Sequence, residues 1–282
     1  MADTSLYRRI RRSLRPIKEG IVYSFRTLSL YMRLLEKRLF PIGLASGAAG
    51  RDFFILCVER PIYAPLVRMN VNSLHLHNPR HRVSVFCDSV CHRALSRMRF
   101  FYPGQVVLNE YFAEAGSRPW QEKKLDVLKE AVKAGAALVD ADTIWHGDPA
   151  WDEGSAVFEG IHKRIKDKSS EKALVAEVLK RSDWLEFNHY VVGFVYLPKE
   201  KITETFWESL LELTRTIANC PELPGLSAGE TQSVRRTMEE LALSLLVQEL
   251  LSGKSIAIVR DRLHPGNSLM QSMYYGVTHG ID

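Results

Sequence analysis

The chain has 282 residues, 46% of them hydrophobic and 25% charged, with a formal net charge of +5. Those proportions exclude a disordered polymer and fit a globular protein with a sizeable core. No apolar stretch reaches the ~20 residues of a membrane span, and no signal peptide is visible. The four cysteines, Cys57, Cys87, Cys91 and Cys220, show no paired spacing. Cys57 and Cys87 lie in apolar runs and read as core thiols, and no second pair completes a metal site with Cys87 and Cys91. A reducing, cytoplasmic setting is expected.

Residues 1–50 differ from the remainder. Arg8, Arg9, Arg11, Arg12 and Arg15 form a basic cluster, and seven apolar residues follow at helical spacing, Ile17, Ile21, Phe25, Leu28, Met32, Leu35 and Leu39. At about 100° per residue they fall within an arc of roughly 80°. This predicts an amphipathic helix that ends before Pro41, then a small-residue linker at Ala45–Gly50. Its stripe suits either the protein's own core or a membrane surface, and the arginines favour anionic lipid headgroups. Nucleic acid is not an expected partner, because no recognition module accompanies the arginines.

From residue 51 onward, strands and helices alternate. Phe53–Val58 reads as a buried strand that ends at Glu59, and a helix follows from about Ala64 to Leu76. Val83–Cys87 is the second strand, ending at Asp88. A basic helix, His92–Arg99, leads to a short strand at Gln105–Leu108. Pro119-Trp120 opens a helix running to about Ala134, with Gly135 placed to end it. Strands separated by helical crossovers predict an α/β fold with a mostly parallel sheet flanked by helices. Residues 51–282 are expected to form that one domain.

The strand after Gly135 organises the rest. Ala136–Val139 is apolar and closes on Asp140 and Asp142. Strand side chains alternate faces, so the two acids are expected to point the same way off the strand's carboxyl end. Ligands of open α/β sheets collect there. Two hard oxygen donors suit Mg²⁺ or Mn²⁺ bound together with substrate phosphates. A strand that merely ends in two solvated acids is the plainer alternative.

Several segments, taken in order, resemble one family. They are Tyr63…Asn72-Ser73-Leu74…His77-Asn78-Pro79, then Val83–Phe86, then Trp120…Lys124–Leu128 before Asp140-Ala141-Asp142-Thr143. Asn188…Gly193-Phe194-Val195, Glu239–Ser244 and His264 continue the series. Together they resemble the GT-A-fold glycosyltransferases carrying a D-x-D motif, over most of residues 52–270. Glu240 stands where many relatives carry Gln, and Pro265 follows the final His in place of an aromatic.

The resemblance implies transfer of a sugar from a nucleotide-diphosphate sugar to a glycan, lipid-linked or protein acceptor, with Mn²⁺ or Mg²⁺. It implies Asp142 as principal metal ligand, Asp140 as a second ligand or a contact to the donor ribose, and His264 as the third, with His279 a rival. Glu59, Tyr63 and Asp88 would meet the nucleoside and Lys124 the donor phosphates. Glu239 would contact the acceptor hydroxyl or take its proton, making Glu239 and Asp140 the expected catalytic acids. Trp120, Trp145 and Trp151 are candidates for the floor of a sugar site. Plainer roles exist for each: solvated acids, a solvated lysine face, dipole partners in a first helical turn, core aromatics.

Other classes share parts of the pattern. Asp140-Ala141-Asp142-Thr143 also matches the D-x-D-x-T of haloacid-dehalogenase-type phosphatases, with Asp140 as nucleophile. Their later acidic motif belongs well downstream, whereas Gly147-Asp148…Asp152 follows at once. A nucleotidyltransferase would carry a Gly-rich loop after the first strand, where Val58-Glu59-Arg60-Pro61 stands. A non-catalytic scaffold is the remaining alternative.

Overall fold

The computed structural model describes residues 49–112, 118–145, 148–149, 151–165, 187–220, 231–232, 235–251 and 256–258. The expected N-terminal helix, most of the linker, His264 and His279 lie outside them.

A seven-stranded sheet runs through the described residues in the order β3-β2-β1-β4-β6-β5-β7. Its members are β1 (Asp52–Cys57), β2 (Arg82–Asp88), β3 (Val106–Phe112), β4 (Ala137–Val139), β5 (Ala156–Ile165), β6 (Phe187–Tyr196) and β7 (Ile256–Ile258). β1 to β4 are parallel, β6 runs against both β4 and β5, and β7 is parallel to β5. The architecture is α/β with a mostly parallel sheet, as the strand–helix alternation requires. Central β1 takes a rung from each side, pairing Phe53 with Val83 and with Ala137, and Ile55 with Val85 and with Val139. Both faces of that strand are covered, which explains why it reads as an unbroken apolar run.

Helices α1 (Ala64–His77) and α2 (Ser89–Ser96) contribute to one core layer, where Val67, Val71 and Leu95 pack with Phe53, Val85, Trp145 and Phe194. Helices α3 (Trp120–Ala134), α4 (Glu204–Ala218) and α5 (Met238–Leu250) contribute to the other, where Leu128, Leu210, Leu241 and Leu245 meet Leu138, Phe158 and Val195. α3 ends as expected: Gly135 adopts φ 68°, and its N–H reaches back to the last turn. That left-handed residue turns the chain directly into β4. β5 and α4 lie outside the expected set of elements. All four cysteines are buried and free.

The short β4 determines how the site is assembled. It pairs with β6 only at Leu138–Val195 and Val139–Phe194. Past those rungs Asp140 N–H donates to Gly193 O at 2.9 Å. Farther along, α5 occupies the uncovered edge of β6. Ser244 Oγ accepts from Tyr190 N–H at 2.9 Å, and the Gln248 amide exchanges two 2.8 Å hydrogen bonds with the backbone of Asn188. Buried backbone groups need partners, and Ser244 and Gln248 supply them four residues apart on one helical face. The first turn of α5, with Glu239 and Glu240, is thereby held against the end of β4.

Candidate active site

The acidic doublet sits on a turn, not on the strand. β4 ends at Val139, and Thr143 N–H closes back onto Asp140 O at 3.2 Å. Strand alternation is therefore not what brings Asp140 and Asp142 together; the turn does it. α1 pins that turn from beneath. Asn70 Nδ2 donates to Asp140 O at 2.8 Å, while Asn70 Oδ1 accepts from the buried Trp145 indole at 2.7 Å. Ser73 Oγ accepts from Trp145 N–H at 3.1 Å.

Lys124, on α3, is the cation of this site. It is buried, with Nζ 2.7 Å from Asp140 Oδ1 and 4.0 Å from Glu239 Oε1. Burial alone would weaken its charge, but Asp140, Glu239 and Glu240 outweigh that and raise its pKa. A solvated lysine face is excluded.

One ammonium does not balance the acids around it. Asp142 is pushed up to about 7 by burial and by the charge of Asp140. Glu239 is pushed up to about 8, chiefly by burial, with Glu240 adding to it against the pull of Lys124. Its Oε2 is buried and has no hydrogen-bond partner among the described residues. Glu240 faces the buried His189 of β6 at 3.6 Å. Such a surplus of carboxyl groups at the carboxyl ends of parallel strands suits a cation-dependent site. Among the described residues, no three side chains of ligating type converge as a metal site.

The solved structures it resembles include glycosyltransferases. An apo-form GlyE from Streptococcus pneumoniae TIGR4 is 14% identical over 75% of this chain and 46% of its own, with a TM-score of 0.44. A second GlyE structure is 12% identical over 76% and 46%, with a TM-score of 0.42. The bifunctional WbbM is 10% identical over 82% and 45%, also with a TM-score of 0.42. The chain thus spans under half the length of each. No protein-family profile matches the sequence, and no curated protein does.

The expected nucleoside residues form a second group. Glu59, just past β1, takes φ 69° and donates its N–H to Asp88 Oδ2 at 2.6 Å. Asp88 also caps α2 by accepting from Cys91 N–H at 2.8 Å. Burial opposes the ionised form of Asp88, yet the two amide donors prevail and hold its pKa below the usual carboxylate range. Lys123, buried beside Lys124 on α3, reaches Glu59 Oε1 at 3.5 Å. Tyr63 closes a 3-10 turn before α1 and packs at the edge of the core.

The tryptophans separate. Trp145 is buried among Phe53, Asn70 and Phe194, and Trp151 stacks under the Arg51 guanidinium at 4.0 Å. Trp120 is 39% exposed at the first turn of α3, its ring centroid 5.9 Å from Lys124 Nζ. Asp148 is engaged by His81 at 2.8 Å and by Asn78 at 3.4 Å.

Lys123 and Glu159 carry site geometry that no motif announced. Only Glu159 left a trace, as the lone acid within the apolar run Ala156–Ile161.

Proposed function

We propose that this protein is a glycosyltransferase that moves a sugar from a nucleotide-diphosphate sugar, with a divalent cation held by Asp140 and Asp142. One observation carries the reading: a buried lysine bridges the doublet to Glu239, yet the acids there still outnumber it, so the site calls for a further cation. Two close carboxylates suit Mn²⁺ or Mg²⁺. The orphaned Glu239 Oε2 and the raised Asp142 fit that need. When bound, the ion would stabilise the charge that develops on the leaving diphosphate. The remaining coordination would come from phosphate oxygens and from His264.

The chain's own groups have distinct tasks. Lys124 orients Asp140 through its 2.7 Å contact with Oδ1. Glu239, with its affinity for protons close to the working pH, can accept and hold the proton of an acceptor hydroxyl at Oε2. Glu59, Asp88 and Lys123 would frame the nucleoside beyond the ends of β1 and β2, with Tyr63 beside them. The basic N-terminal extension supports delivery of the site to an anionic membrane surface and to a lipid-linked or envelope glycan acceptor.

A thermal-shift screen of nucleoside diphosphates with and without Mn²⁺ tests the reading. A ligand at 100 times its dissociation constant stabilises the fold by about 2.7 kcal/mol, so a Mn²⁺-dependent rise in Tm is expected for one base. No shift with any nucleoside diphosphate would overturn it.

A further inference from the structure

The two helical layers treat their surface cations differently. Beside and along α3 and α4 the cations have carboxylate partners: Arg118 with Asp126 at 2.7 Å, Lys133 with Glu130 at 2.7 Å, and Arg215 with Glu122 at 2.9 Å. On the other layer Arg60, Arg93, Arg97 and Arg99 are all exposed. Among the described residues none of the four has a carboxylate within ion-pair distance, because the acids nearby are committed elsewhere. Glu59 faces Lys123 at 3.5 Å, Glu110 faces His92 at 3.6 Å, and Asp88 is buried as the cap of α2.

The unpaired arginines share one surface. Val90, Arg93 and Arg97 are spaced by three and four, which sets them on the outer face of α2, while Cys91 and Leu95 are buried beneath. Arg99 follows just past the helix end. The 3-10 turn Pro61–Tyr63 packs against α2 and places Arg60 and Ile62 beside it. Ile62 and Val90 are 37% and 36% exposed, aliphatic side chains set among the cations. Glu59 and Asp88, at the ends of β1 and β2, adjoin this surface, so it borders the candidate site. Uncompensated like charges repel one another unless an anionic partner lies against them. Cations interleaved with aliphatic side chains suit the headgroup boundary of an anionic bilayer, which takes charge and apolar contact together. Single-stranded nucleic acid would call for aromatic rings to stack on, and Ile62 and Val90 supply none.

We propose that the outer face of α2, with Arg60 and Ile62, is a docking surface for an anionic lipid bilayer, built into the folded domain and separate from the basic N-terminal extension. Sedimentation of the full chain with phosphatidylcholine vesicles, with and without phosphatidylglycerol, tests it. Binding is expected only with the anionic lipid. Each arginine near such a surface is worth about fivefold, so Arg93→Gln/Arg97→Gln/Arg99→Gln should weaken binding about a hundredfold with Tm unchanged. Ile62→Ser should weaken it by a smaller factor. Absence of binding to anionic vesicles overturns the inference, as does parental binding by the triple variant. Tighter binding of single-stranded RNA than of anionic vesicles would also overturn it. Footprinting of the unmodified chain decides the matter even if the variant does not fold. Bound vesicles should shield Arg93 and Arg97 from phenylglyoxal while Arg215 stays reactive, and equal labelling with and without vesicles would refute the docking surface. None of these measurements involves a nucleotide, so failure here leaves the transferase reading standing.

Discussion

Two groups of acids sit at the carboxyl ends of the sheet and face opposite demands. Asp88 is fully buried, but two backbone amides donate to it and its charge is stabilised. Glu239 is almost as buried, no amide partner satisfies its Oε2, and its proton is held up to about 8. Asp142, held up to about 7, belongs with it. Burial is common to Asp88 and Glu239; hydrogen-bond satisfaction is not. An acid supplied with amide donors is built into the fold, whereas an acid buried without them keeps an unsatisfied acceptor.

Substitution should separate the two groups. The largest effect is expected at Asp142→Asn. Loss of a carboxylate needed only for cation and diphosphate should lower Mn²⁺-dependent donor turnover by about 10²–10³. Tm should be unchanged or slightly higher, because the removed charge is destabilising in the absence of metal. Full turnover by a folded Asp142→Asn protein would show that Asp142 does not serve the cation.

Asp88→Ala should behave the other way. It removes the α2 cap and strands the Glu59 N–H, for a loss of about 2–4 kcal/mol in urea-monitored stability. An Asp88→Ala protein as stable as its parent would show that the amide contacts do not matter.

The smallest effect is on pH dependence. Glu239, Glu159 and Asp142 have folded pKa values of about 8, about 7 and about 7, above their ordinary values of 4.5, 4.5 and 3.8. The folded state therefore retains protons that the unfolded chain releases. Their contribution is present below pH 4 and is lost as pH rises towards 8. Asp88 has the reverse sign: its contribution is present above 3.8 and disappears as pH falls through its lowered value. The Tm of metal-free protein should thus decline from pH 5 to pH 8, and Glu239→Gln should flatten that slope. A Tm that rises over this range would contradict the assignment.

The half of the sheet around β1 was legible because parallel strands covered on both faces are written as apolar runs, and because Gly135 and Pro119 mark the limits of α3. The doublet and Lys124 were legible as residue types, but their grouping was expected for the wrong reason. A three-residue β4 leaves the acids on a turn, whose geometry is fixed by Asn70 and Ser73, some seventy positions earlier. Glu159 was hidden because its meaning depends on the missing side chain of Gly193, 34 positions later (193 − 159) and across an irregular register. Neither a local pattern nor a propensity records that pairing. The first turn of α5 reads as ordinary dipole partnering, and only the clasp of Ser244 and Gln248 on β6 brings Glu239 to Lys124.

The way α1 grips the acidic turn also bears on amide hydrogen exchange. The N–H of Asp140 is bonded to Gly193 O, and that of Trp145 to Ser73 Oγ. Those partners belong to β6 and to α1, on either side of the turn. A loop of ordinary mobility exchanges its amides through local opening. Here the Asp140 amide reaches solvent only if the turn leaves the sheet, and the Trp145 amide only if it leaves the helix. Exchange at these two amides should accordingly be as slow as in β1, so the segment that would bind the metal opens only when the core itself opens.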